Sequence, residues 1–198
     1  MSTYSYAPTP QEQAWELPPR GPVAMVSLII GESAIFTIFV VAYLFYIGKS
    51  LTGPTPQQVL EVPWFNSICL LSSSFTIMRA EHAIARGATT RFSIWLTATI
   101  TLGVTFLAGT AQEWHKLIYQ EGLTIHTNLF GTTFYSLVGL HATHVIVGLV
   151  MLSLVLGFAL AGKVGREHAE RVKVLGLYWH FVDAVWVVVF TVVYILGR

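Results

Sequence analysis

Five long apolar runs, parted by short stretches in which charges and helix breakers collect, set the pattern of this chain. Each run is long enough to cross a bilayer as a helix, at about 1.5 Å of rise per residue. Residues 1–21 are polar and proline-rich and read as a flexible leader. The first span is predicted over 23–47, and Gly53, Pro54, Pro56 and Pro63 then mark a loop. The second, 64–85, stays apolar until Arg79, Glu81 and His82. A turn carrying Arg86, Gly87 and Arg91 leads to a third span over 92–115. On it Thr97, Thr101, Thr105, Ala108 and Gln112 recur at helical spacing, a small-residue stripe that predicts close helix packing. Residues 116–128 read as an exposed loop, with Trp114 and Tyr119 at the interfacial level. A fourth span follows over 129–162, then the most charged loop, 163–173, and a fifth span over 174–197. The pattern predicts an all-α integral membrane bundle of five transmembrane helices, with 22–198 forming a single membrane domain.

The distribution of Lys and Arg orients such a bundle. Arg20, Arg79, Arg86, Arg91, Lys163, Arg166, Arg171 and Lys173 fall on the N-terminal side, against Lys49, Lys116 and Arg198 on the other. This asymmetry predicts a cytoplasmic N-terminus and a C-terminus outside. The 198 residues are 54% hydrophobic and 11% charged, which belongs with membrane proteins, and the formal charge of +1 leaves no basic surface suited to nucleic acid. The single cysteine, Cys69, lies in an apolar run and reads as a small core residue. The apolar run after the leader is too long for a cleavable signal peptide, so the first span is expected to target the chain itself.

Polar groups inside the spans carry whatever chemistry the chain has, because each needs a partner in hydrocarbon. Glu32 sits about ten residues into the first span, roughly 15 Å deep, with no opposite charge on its own helix. His180 and Asp183 stand three apart in the fifth span and share a helix face, as do His141 and His144 in the fourth. Each of these groups has two readings, an interhelical tie or a carrier of protons. Arg79, Glu81 and His82 at one end of the second span, and Glu113 at the end of the third, read as interface anchors or as contacts to lipid headgroups. A metal reading of the His141/His144 pair lacks the remaining ligands, and no second matching pair exists to hold a haem from two helices. No metal site and no catalytic residue is therefore expected in this chain. A metal-dependent membrane enzyme and a proton-coupled transporter are the rival classes. The absence of internal repeats and of paired broken helices counts against the transporter.

Three stretches together resemble subunit III of the haem-copper terminal oxidases, in its short five-helix bacterial form: YWHFVDAVW at 178–186, GLHATHVIVG at 139–148 and NSICLLSSSFT at 66–76. The resemblance runs from about Val23 to the C-terminus. Glu32, within IIGESAIF, resembles the family's buried carboxylate, His82 its histidine after the serine run, and Glu113 its glutamate ahead of an aromatic. Thr110 and Lys173 stand where the family often has Gln and Glu. The resemblance implies a subunit without redox cofactors of its own. It would pack on a catalytic subunit I that holds haem and copper, reduces dioxygen and translocates protons, and it would support proton uptake there and protect against inactivation. It further implies a subunit II, a small subunit IV, a possible bound phospholipid and a place in a bacterial inner membrane as part of the aerobic respiratory chain. Cytochrome c is the expected electron donor, with quinol as the alternative.

Overall fold

The computed structural model describes residues 20–50 and 53–197; the predicted leader, apart from its last two residues, and Arg198 lie outside the described residues. Among the described residues the structure is helical throughout, with no strand. The helices are α1 (Arg20–Tyr46), a single turn α2 (Pro56–Val59), α3 (Trp64–Ala85), α4 (Thr89–Tyr119), α5 (Leu129–Leu160) and α6 (Ala169–Phe190). A 3-10 turn, Arg166–His168, precedes α6, and a wider π turn, Thr191–Leu196, continues it.

Four of these stretches are long and apolar enough to cross a membrane: α1, α4, α5 and the continuous segment Arg166–Leu196. Five spans were expected from the sequence. The 22 residues of α3 are long enough, but serines and the polar end at Arg79, Glu81 and His82 make this helix less apolar than the others. Much of that polarity is turned inward: Ser67, Ser73 and Thr76 are buried.

Helix ends follow local chemistry. Arg20 and Gly21, expected in the leader, belong to α1, whose first turn accommodates Pro22 because the nitrogen there needs no intrahelical partner. α3 stops before Gly87, which has φ +74°, a left-handed backbone that glycine adopts without strain. α4 runs past the expected end at residue 115 to Tyr119, since Lys116, Leu117 and Ile118 favour a helix and the first residue needing a left-handed backbone is Gly122, φ +66°. α6 likewise begins at Ala169 rather than at 174. The sequence AERVK is charged yet strongly helix-forming, and Glu170 lies in the first turn, where the helix dipole favours it. Asn128 opens α5, its Oδ1 accepting the Gly131 N–H at 2.8 Å.

The threonine stripe of α4 is not a packing face within this chain. Thr97 and Thr101 are exposed and donate to backbone carbonyls one turn back, at 2.8 and 2.9 Å. The buried face carries Phe92, Leu96, Thr99, Gly103, Phe106 and Thr110. Bulky apolar side chains on that face gain more from contact with neighbouring helices than the small residues opposite. α3 and α4 form a hairpin, and α6 lies against α1, α3 and α5. Trp179 and Trp186 of α6, at 0% and 1% exposure, fill the middle of the bundle. Cys69 is buried.

Candidate functional site

Among the polar side chains inside the bundle, two groups each join two helices. The first is the seam between α3 and α6. Trp186 Nε1–H donates to Ser67 Oγ at 3.1 Å and Trp179 Nε1–H donates to Ser73 Oγ at 2.8 Å. Next along α3, Ser74 donates its single proton to Asp183 Oδ2. The Ser74 oxygen must then accept, so His180 Nδ1, 3.0 Å away, carries a proton and donates it. The result is one directed chain, His180 to Ser74 to Asp183. Its end is buried, with Asp183 3% exposed, and Asp183 Oδ1 has no hydrogen-bond partner among the described residues.

This seam predicts a non-additive mutant series. Ser74→Ala leaves an acceptor and a donor unpaired and is expected to cost about 1–3 kcal/mol, whereas Ser74→Ala with Asp183→Leu removes both partners and costs less than the sum. Thermal unfolding of the four variants in detergent checks it, and strict additivity refutes the chain.

The second group joins α1 to α5. His144 Nδ1 lies 2.8 Å from the carbonyl oxygen of Leu140, which can only accept, so Nδ1 carries the proton. Nε2 faces Glu32 Oε2 at 3.1 Å. A hydrogen bond at this distance takes one further proton, either on the carboxyl, donating to a neutral imidazole, or on the imidazolium, donating to a carboxylate. Phe36 packs on the imidazole at 4.9 Å between ring centres, and Tyr178 Oη donates to the His144 carbonyl at 3.1 Å. The pair is partly accessible, with side-chain exposures of 14% for His144 and 24% for Glu32. It opens on a cavity of about 320 Å³ bordered by Met25, Leu28, Val147 and Met151.

His141 does not join His144. It is fully buried, stacked on Trp186 at 5.0 Å and edge-on to Phe106 at 5.8 Å. Neither ring nitrogen has a hydrogen-bond partner among the described residues. The two imidazoles take different partners, and among the described residues no three His, Cys, Asp or Glu side chains converge as a metal-ligand set.

Glu113 of α4 accepts from Tyr194 Oη with both oxygens at 3.0 Å. The Arg79, Glu81 and His82 group is split by the helix surface. Arg79 and His82 border one cleft, while Glu81 borders a separate cavity with Glu170, Lys173 and His180, packed close to Gly176. Sequence reasoning missed Ser74 and Tyr194. The signal for Ser74 was present in Ser67, a hydroxyl seven residues earlier and so on the same face of a span that must show it to protein. Tyr194 carried no such signal.

Comparison with known proteins adds a lineage to this geometry. The sequence model of the family described as cytochrome c oxidase subunit III matches residues 23–198. A cytochrome c oxidase subunit 3 from Synechocystis is 39% identical over 176 residues, covering 87% of this chain and 74% of the relative. One from Thermostichus vulcanus is 32% identical over 94% of this chain and 92% of its own length. A cytochrome bo(3) ubiquinol oxidase subunit 3 from Pseudomonas aeruginosa is 30% identical over 85% of this chain and 81% of the relative.

Proposed function

The chain belongs to the cytochrome c oxidase subunit III family, and from that premise we propose that it is the supporting, non-redox subunit of an aerobic terminal oxidase. In this reading it crosses a bacterial inner membrane five times, α3 included, as one domain with the N-terminus in the cytoplasm. It packs beside subunit I, which carries haem and copper and reduces dioxygen, in a complex with subunit II and a small subunit IV. Its own chemistry is confined to protons. Glu32 with His144, and His180 with Asp183 through Ser74, hold single protons in neutral or hydrogen-bonded arrangements, and Glu113 and His141 complete the buried polar set. The observation that supports this reading best is the Glu32–His144 pair at 3.1 Å, reachable from a cavity yet built from two helices. An acid and base sharing one proton is suited to buffering protons for a neighbouring uptake path.

The donor is taken to be cytochrome c, as the names of the Synechocystis and Thermostichus relatives suggest. Quinol is the alternative carried by the Pseudomonas relative. Mild-detergent purification through a tag on this chain tests the assignment. Haem absorbance in a reduced-minus-oxidised spectrum should accompany the tagged chain and vanish once it is stripped from its partners. Oxygen consumption with reduced cytochrome c, and not with ubiquinol, should follow. Haem retained by the isolated chain overturns the proposal.

A further inference from the structure

Where α1 ends and α5 begins, a cavity of about 370 Å³ is enclosed by Tyr43 and Tyr46 of α1, Ser50 and Gln57 beyond it, Phe130 of α5 and Gly197 after the π turn. Tyr43 is 1% exposed, yet its hydroxyl has no hydrogen-bond partner among the described residues. A buried hydroxyl left unpaired is destabilising, and this one belongs to the wall of a space large enough for a small molecule. Gly197 leaves room for the phenol: a methyl group there would come within 2.7 Å of Tyr43 Oη.

The chemistry of the wall narrows the choice of molecule. Among the described residues no charged side chain lines the cavity, and Lys49, close by in sequence, holds its ammonium over the Phe45 ring at 3.3 Å. A neutral ligand is therefore the one that fits. Ser50 Oγ accepts the Phe130 N–H at 3.1 Å, so its own proton is left to donate, as is that of Tyr43. Thr133, by contrast, donates its proton to the Leu129 carbonyl at 2.9 Å. Two donors beside aromatic rings suit hydrogen-bond acceptors carried on a flat ring, and Phe130, edge-on to Tyr43 at 6.5 Å between ring centres, supplies part of that surface. Ile47 and Leu196 also line the cavity and, at 36% and 62% exposure, continue the apolar surface outwards. We propose that this cavity binds the ring of an isoprenoid quinone, its carbonyl oxygens accepting from Tyr43 and Ser50 and its tail leaving past Leu196. A sugar headgroup brings donors of its own, which neither hydroxyl requires. The role is binding that braces α1 against α5, with no electron transferred, and it stands apart from the choice of electron donor. It rests on α1 and α5 spanning the membrane, which alkaline extraction of membranes checks separately.

Thermal release of the tagged chain from the intact complex, freed of quinone and held in phosphatidylcholine nanodiscs, tests it with two additives: decylubiquinone, and dodecyl maltoside as a sugar with a similar tail. Decylubiquinone should raise the wild-type midpoint and dodecyl maltoside should not. Y43F keeps the ring and removes only the unpaired hydroxyl, so its quinone-free midpoint should equal or exceed that of wild type. About tenfold more decylubiquinone should then be needed to raise it, as expected for the loss of one buried hydrogen bond. An azido-substituted quinone, competed by decylubiquinone, should label this chain within residues 43–50 or 130–133. No protection of wild type overturns the proposal, as does equal protection by the maltoside or an unchanged requirement in Y43F. A quinone-free Y43F midpoint below that of wild type gives the hydroxyl a partner within the protein and overturns it too. Labelling confined to another subunit does the same, whether or not Y43F assembles.

Discussion

Trp179→Ala is expected to cost this bundle about 3–5 kcal/mol and to release the subunit from its complex at temperatures the wild type survives. The side chain is fully buried, and two glycines make room for it. A methyl group on Gly103 would approach Leu149 to 2.8 Å and the indole to 3.0 Å, and one on Gly148 would approach the indole to 2.8 Å. The ring is therefore held between α4 and α5, while its N–H reaches α3 through Ser73. One side chain of α6 joins three helices. Within a bilayer the unfolded helices are also in an apolar medium, so the loss is mostly lost contact rather than lost burial from water, and the lower end of the range applies. The converse change makes the same point. Gly148→Ala or Gly103→Ala should cost about 1–3 kcal/mol by overpacking, because the ring has no free side to move towards. Trp179→Phe keeps most of the contact and should fall between wild type and alanine. Thermal dissociation of the tagged complex ranks the variants, and a wild-type midpoint for Trp179→Ala refutes the clamp.

How far the fold could be read in advance depends on which signal bounded each helix. Pro63 and the Arg86–Gly87 turn bracket α3, so 64–85 was legible to the residue. α4 and α6 extend past the ends that charge marks in the sequence. Charge ends a span in the membrane but not the helix, and Lys116 or Glu170 is as content in a helical backbone as Leu. The stripe on α4 misled for a related reason: periodicity marks a face without saying whether this chain or something else covers it. Within the site, spacing correctly put His180 and Asp183 on one face, and Ser74 supplied the link that spacing alone cannot show. His141 and His144 show the limit of the same rule. Three residues turn a helix by about 300°, leaving the two side chains roughly 60° apart, enough at a crowded junction for one imidazole to meet α1 and the other to meet Trp186.

Glu32 and His144 are 112 residues apart in sequence, and their pairing separates a structural tie from a proton carrier. Glu32→Leu removes the partner of Nε2 and should cost about 1–3 kcal/mol. His144→Leu leaves a carboxyl facing apolar surroundings and should cost about as much or more. The double variant leaves neither group stranded, so the coupling measured by the cycle should be about 1–3 kcal/mol. Glu32→Gln is the decisive variant, because its amide donates to the neutral Nε2 in place of a carboxyl proton. Stability should then stay within about 1 kcal/mol of wild type, the size of one neutral hydrogen bond, while the pair no longer exchanges a proton. If the pair buffers protons for subunit I, the Glu32→Gln oxidase assembles normally, yet its proton uptake during turnover slows and its activity decays sooner. Unchanged uptake and lifetime in Glu32→Gln, beside a destabilised Glu32→Leu, would reduce the pair to a tie between α1 and α5. Stopped-flow proton uptake by the reconstituted complex, with the thermal midpoint measured on the same preparation, distinguishes the two.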